Sequence, residues 1–328
     1  MRRLVFLVLL TAVAIAVYCV LVPFGPSSEK FVEIPPGTPA VKIASLLKQG
    51  GIIRSELVFD AMHAIKGGTL KAGEYQFDHP AKVSEVYSRL RRGDVYTVSV
   101  TIPEGSNLFD IGQRVEAAGL GTKDNFLATA RTNVSLIADL DAQASSLEGY
   151  LFPDTYRFAR GTSAFQIQQT MVRRFREAAA ELGLQGDDHR VVTLASLVER
   201  ETPIAAERPL VASVFVNRMA KDIPLMTDPS VIYAALLGGR YRGTIYESDL
   251  QADSPYNTYK HPGLPPGPIC SPGMDSLKAA MHPAQTDYLY FVAASADPSG
   301  KSKFSATLEE HARDVAAYRK SLRDAGSQ

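Results

Sequence analysis

The chain has 328 residues, 45% hydrophobic and 21% charged, and its 35 Lys and Arg balance 35 Asp and Glu. This composition supports a buried core, excludes wholesale disorder, and lacks the basic excess of a nucleic-acid binder. Two cysteines, Cys19 and Cys270, are too few for a disulfide framework or a cysteine-rich zinc site.

Leu4 to Val22 is an uncharged run of 19 residues. As a helix it spans about 28 Å, near the ~30 Å hydrocarbon core of a bilayer. Arg2 and Arg3 precede it, and Pro23 and Gly25 close it. A positive flank predicts a cytoplasmic N-terminus, with everything after the span across the membrane. A cleaved signal peptide fits less well, because its apolar region is ~7–15 residues and a small-x-small site follows it. A lipidated Cys19 is disfavoured by the bulky Tyr18 beside it. The reading is a cytoplasmic tip (1–3) and a transmembrane anchor (4–22).

Pro26 to Lys30 reads as a linker, and Phe31 to Ile53 as strand, Pro-Gly turn and amphipathic helix stopped by Gly50-Gly51. A second helix is expected from Ser55 to Ile65, a strand over Lys71–Phe77, and a helix over Ser84–Arg92. Val98 to Leu120 then repeats the first unit without a gap. Ile34-Pro35-x-Gly37 matches Ile102-Pro103-x-Gly105, and Ile43, Leu47 and Gly51 match Ile111, Val115 and Gly119. The two segments are expected to fold alike. The unit resembles a LysM-like module, which implies N-acetylglucosamine-containing glycans as a ligand, although a purely packing module fits equally well.

Asp124 to Asp141 is helical with a break near Asn133, and Leu147 to Gly161 is an aromatic stretch around Pro153-Asp154. Ala164 to Leu182 is an amphipathic helix whose Arg173, Arg174 and Arg176 are expected to face solvent. His189 to Thr202, HRVVTLASLVERET, reads as a core helix ending in Glu199, Arg200 and Glu201. A carboxylate at such a site loses solvation, so its pKa rises and it can serve as an acid near neutrality. Glu199 and Glu201 lie about 200° apart on the helix, so one at most faces a given cleft, and periodicity does not choose between them. Both could also be surface caps paired with Arg200 and Arg208.

Glu207 to Met219 is another apolar helix. Asp228 is a plausible N-cap for a helix carrying Pro229 in its first turn. SPYNTY (254–259) and GLPPGPICSPGMDSLKAA (263–280) form a stiff, irregular stretch leading into a helix near Asp275, and such loops often line binding sites. Tyr256 and Tyr259 are candidates to stack on sugar rings, and Asn257 to hydrogen-bond hydroxyl or acetamide groups. Tyr288 to Ala293 reads as a buried strand, and Thr307, Glu310 and His311 open the last helix.

Taken together, EGYLFPDTY, ASLVERET, ERPLVASVFVNRM, TDPSVIYA, YNTY, GLPPGPICSPG and FSATLEEH, behind an N-terminal anchor, resemble the MltG (YceG-like) family of endolytic murein transglycosylases. The resemblance implies an α+β protein with a LysM-like module (31–97) and a catalytic domain (98–328). It implies cleavage of the MurNAc–GlcNAc β-1,4 bond of peptidoglycan to leave 1,6-anhydro ends, with Glu201 as the catalytic acid/base and Glu199 in support. Glu148, Tyr150, Asp154, Arg218, Asp228, Tyr256, Asn257 and Tyr259 become candidate substrate contacts. Pro203 and Lys303 depart from the pattern without disturbing the two glutamates. No metal or other cofactor is expected, since the six His show no helix-spaced ligand motif. The implied partners are glycan strands, the inner membrane and a neighbouring peptidoglycan synthase, with the catalytic domain periplasmic. A lysozyme-like hydrolase and a non-catalytic glycan-binding scaffold are the alternatives.

Overall fold

A computed structural model describes residues 2–184, 188–297 and 300–325. It is a mixed α+β chain in two compact units, Met1–Ser99 with Arg157–Gly161, and Val100–Tyr156 with Thr162–Gln328.

The first unit opens with helix α1 (Arg2–Leu21). Over Arg3–Leu21 its mean hydropathy is 3.0 with none of it buried by protein, long and apolar enough to cross a membrane. Strand β1 (Lys30–Ile34) pairs antiparallel with β2 (Gly73–Phe77), placing Val32 opposite Tyr75. Helices α2 (Ala40–Gln49), α3 (Glu56–Lys66) and α4 (Val83–Arg92) belong to the same unit. Ile34, Leu47, Phe59, Tyr75, Val86 and Leu90 form its core. Arg54 ties the end of α1 to this unit, donating to the carbonyls of Val22 (2.8 Å) and Pro23 (3.3 Å) and stacking over Tyr18 and Phe24.

Strand β3 (Thr97–Thr101) pairs with β4 (Thr155–Ala159) in a second two-stranded sheet. Helix α5 (Leu108–Ala117) starts in a capping box of Asn107 and Asp110. The expected repeat is present: β1, turn and α2 recur as β3, turn and α5. Gly37 (φ 78°) and Gly105 (φ 75°) occupy equivalent left-handed turn positions that side chains resist. The first copy lies in the first unit, and the second copy belongs to the second unit from Val100 onward.

The second unit continues with α6 (Lys123–Thr132), broken at Asn133 as expected, and α7 (Ala164–Leu182), capped by Ser163 and Gly183. Arg174 and Arg176 are not free on that surface. They pair with Asp154 (2.9 Å) and Asp139 (2.6 Å), because α7 runs beside acidic loops. Helix α8 (Asp188–Glu201) buries Val192, Leu194, Ala195, Leu197 and Val198. It packs on α9 (Arg208–Ala220), α10 (Asp228–Leu237) and, past the short α11 (Glu247–Leu250), on α12 (Met274–Met281). The N-cap of α10 is Thr227, and Asp228 is its first helical residue, one step from expectation. Strands β5 (Tyr290–Ala293) and β6 (Ser302–Ser305) pair antiparallel, and β5 is half-buried rather than the deeply buried strand its apolarity suggests. The last helix, α13 (Leu308–Ala325), rests on both strands.

Candidate active site

The site forms where α8 ends. Pro203 has no N–H to continue the helix, and the turn is fixed by Thr202, whose hydroxyl accepts from Ile204 N–H at 3.1 Å. The last turn of α8 sends its two carboxylates in different directions, and their surroundings differ in kind.

Glu199 is tied down. It accepts from the Arg208 guanidinium at 2.9 Å and from Gly273 N–H at 3.0 Å, and its side chain is only 5% exposed. Glu104 reaches the same Arg208 at 3.4 Å. A Cβ built on Gly273 would sit 1.9 Å from Glu104 Oε1, so only glycine fits while Glu104 holds this position. Glu199 is therefore a charged strut joining α8, α9 and the Pro-rich loop.

Among the described residues, Glu201 has no basic partner in hydrogen-bond contact. Its carboxylate accepts from the Thr227 hydroxyl, and loss of solvation raises its pKa from the usual 4.5 to about 7 despite that bond. Asp228 nearby raises it further and Arg200 opposes, both more weakly than burial. A substantial fraction of Glu201 is thus protonated at neutral pH.

Thr227 is aimed by three contacts. Its own N–H donates to Thr258 Oγ1 at 3.0 Å, the N–H of Met226 donates to the Thr258 carbonyl at 3.1 Å, and Thr258 Oγ1 lies 2.8 Å from Ser230 Oγ. Met226 holds φ at 55°, a left-handed conformation rare for a side chain of its size, at the residue before the donor.

Glu201 stands between two openings. One, a cavity of about 470 Å³, is lined by Glu201, Phe215, Arg218, Thr227, Asp228, Tyr259, Tyr290 and His311, among others. The second, about 360 Å³, is lined by Glu104, Gly105, Glu199, Arg200, Glu201, Thr202 and Arg208, with Pro203. In the first, Tyr259 donates to Asp228 at 2.6 Å, and burial pushes its phenol pKa well up. Arg218 donates to the carbonyls of Pro224 (3.0 Å) and Leu289 (3.3 Å), with its guanidinium over Tyr290. Tyr290 stacks on His311 with ring centroids 5.0 Å apart, and burial lowers the pKa of that imidazole.

Four of the sequence-selected residues thus share the Glu201 cavity with it or border it: Arg218, Asp228 and Tyr259 in the first opening, Glu199 in the second. The other five lie elsewhere. Glu148 is buried against the N-terminus of α5, accepting from Leu108 N–H at 3.0 Å and Tyr233 OH at 2.9 Å, and burial raises its pKa to about 7. Tyr150 is buried and donates to Asp141 at 2.8 Å. Asn257, expected to greet substrate, is fully buried and spends its amide on the carbonyls of Leu250 and Ala252 and on Tyr259 N–H. Asp154 pairs with Arg174. Tyr256 packs edge-on against Tyr233 beside a separate, very small cavity containing Glu148 and His189. An aromatic or polar residue in a Pro-rich loop has two sides to face, and sequence alone does not say which.

Thr227, Thr258, Tyr290 and His311 escaped selection. Thr227 and Thr258 sit inside quoted motifs, but a hydroxyl that orients a carboxylate has no periodic signature. His311 is brought in by β5 and α13, far along the chain.

The family model described as YceG-like family matches residues 32–317. The endolytic murein transglycosylase of Bacillus subtilis strain 168 is 35% identical over 309 residues, covering 88% of this chain and 84% of the relative. The one of Streptococcus pneumoniae strain D39 is 31% identical over 338 residues, covering 91% of this chain, which spans 60% of that longer protein. A 2.6 Å crystal structure of a YceG-like protein from Listeria monocytogenes superposes with a TM-score of 0.57 at 34% identity, over 88% of this chain and 99% of that one. With a family match over most of its length and relatives above 30% identity across nearly all of it, the chain belongs to the YceG-like family.

Proposed function

We propose that this chain is a membrane-anchored endolytic lytic transglycosylase of peptidoglycan, with Glu201 as its acid and base. The observation that carries the reading is a single desolvated carboxyl, poised near neutrality by burial and aimed by Thr227, at the meeting point of two openings. The relatives named endolytic murein transglycosylase supply the substrate class.

Protonated Glu201 donates to the glycosidic oxygen between MurNAc and GlcNAc as positive charge grows at the anomeric carbon. The muramic 6-hydroxyl attacks that carbon, and the Glu201 carboxylate takes its proton. One bond breaks, one forms inside the same sugar, and no water is consumed. A two-carboxylate glycosidase instead needs a second free acid or base. Here Glu199 is neutralised by Arg208, and Asp228 is bonded to Tyr259. Arg218, Asp228 and Tyr259 are read as contacts to the sugar chain.

In the same reading, α1 is the anchor, the N-terminus is cytoplasmic, and the remainder works on the far face of the inner membrane. Residues 31–97 act as a LysM-like module and 98–328 as the catalytic domain, beside a peptidoglycan synthase whose nascent strands are terminated.

Mass spectrometry of digested glycan strands is the test. Products with 1,6-anhydro ends are expected from the wild type and none from Glu201→Gln. Ends heavier by one water would instead establish a lysozyme-like hydrolase. Cleavage undiminished in Glu201→Gln would reject the assignment of the acid.

A further inference from the structure

A further cavity of the second unit lies next to the site, distinct from the two openings already described. It holds about 510 Å³ and is lined by the turn Pro103–Ser106, by Asp110, Gln113, Arg114 and Ala117 of α5, and by Arg200 at the end of α8. Positions 110, 113, 114 and 117 recur at helical spacing, so one stripe of α5 forms a wall. Glu104, Gly105 and Arg200 line both this groove and the second opening beside Glu201, so the two adjoin.

Its charges are unequal in what they leave available. Glu104 faces Arg208 at 3.4 Å, and Asp110 accepts from Asn107 N–H in the capping box at 3.1 Å. Arg200 makes one long bond, 3.4 Å to the Gly105 carbonyl, and no ion pair among the described residues. The Arg114 side chain has no hydrogen-bond or ion-pair partner among the described residues. Two guanidiniums without carboxylates therefore face a polar groove whose acids are engaged. Guanidinium forks match carboxylates bidentately and add both energy and orientation.

We propose that the Arg114–Arg200 groove holds carboxylates of the peptide stem carried by the muramic residue, so that the site selects peptide-bearing over bare glycan. This rests on the peptidoglycan reading of the Glu201 cleft. Amidase stripping leaves one lactyl carboxylate close to each muramic ring, whereas an attached peptide converts that carboxyl to an amide and carries its own carboxylates farther out from the strand. The groove adjoins the second opening and is walled along one stripe of α5. A site of this kind sets register as well as affinity: it brings muramic acid, and not its neighbour, to the acid.

The test measures binding without turnover. Full-length Glu201→Gln protein in detergent micelles is titrated with fluorescent glycan strands, either intact or stripped of peptides by an amidase. Intact strands are expected to bind more tightly. Arg114→Gln and Arg200→Gln, each placed in that background, should cut the intact-to-stripped affinity ratio roughly tenfold, the size of one charge-assisted bond. Arg114→Lys should keep part of it, and raised salt should compress it. Equal binding of both strands, a ratio unmoved by the arginine substitutions, or no binding of intact strands would each overturn the proposal. Absence of 1,6-anhydro products from the wild type would count against the transglycosylase reading and leave this binding result standing.

Discussion

Thr227 is the residue on which the chemistry of Glu201 depends most directly. Its hydroxyl donates to the carboxylate and so favours the charged form, against a larger push from burial. Removing the donor while keeping the shape should therefore raise the Glu201 pKa above about 7. In Thr227→Val, the alkaline limb of the pH–rate profile should move to higher pH. The maximal rate should fall about 10- to 100-fold, because the carboxyl also loses its orientation. A limb that stays in place would mean the bond does not act on the titrating group. Glu199 is the contrasting case. Two residues away on the same helix, it meets Arg208 and a backbone N–H, and its task is to hold elements together. Periodicity narrows the proposed acid to these two and only the family resemblance points on to Glu201, because what separates them physically is supplied by Arg208, Gly273 and Thr227 from other segments.

At the scale of elements, the end of α8 is a junction. Glu199, Arg208, Glu104 and Gly273 bring together α8, α9, the turn after β3 and the loop before α12. Gly273→Ala places a methyl group 1.9 Å from Glu104 Oε1, so the carboxylate must leave Arg208. The substitution should lower thermal stability by about 1–2 kcal/mol. In Gly273→Ala with Glu104→Ala most of that loss should vanish, since the methyl then has room. Melting curves of the two single variants and the double variant form the cycle, and strictly additive losses would reject the coupling. Helices were legible here because their signals are local: Ser163 and Gly183 bound α7, and Pro203 stops α8. The repeat was legible too, since its strand, turn and helix recur in register. The lining of the cleft was not. Asn257 looked like a ligand residue and instead bonds the carbonyls of its own loop, while His311 reached the cavity from a helix more than a hundred residues after Glu201.

For the molecule as a whole, two buried carboxyls set a pH dependence. Glu148 and Glu201 both rise from 4.5 to about 7 through loss of solvation. Each holds its proton more firmly folded than unfolded. Their penalty is absent below about pH 4.5, grows as pH rises toward 7, and levels off above it. One pKa unit corresponds to about 1.4 kcal/mol, so the two together cost the folded state a few kcal/mol at neutral pH. Melting temperature should thus decline between pH 5 and 7. Glu148→Gln should flatten that decline by about half, because the amide cannot ionise. An unchanged slope would show that Glu148 does not carry its share. Asp139 acts in a different window: lowered to about 2 by its bond to Arg176, it contributes stability that is lost only in stronger acid.

The Pro-rich loop is stitched to α8 at three successive points. Ile269 N–H donates to Ser196 Oγ, Cys270 Sγ–H to the Ser196 carbonyl, and Gly273 N–H to Glu199, across separations of 73 and 74 residues. The cavity beside Glu201 is walled by Tyr290 and His311, later still. A ribosome delivers α8 long before these partners. Until they arrive, Glu201 sits at the end of an uncovered helix, solvated and ionised, an ordinary surface glutamate with no proton to give. Assembly order therefore works as a timer. On the proposed role of Glu201, the chain carries its acid from early in synthesis, yet becomes capable of acid catalysis only once nearly all of it has been made and folded.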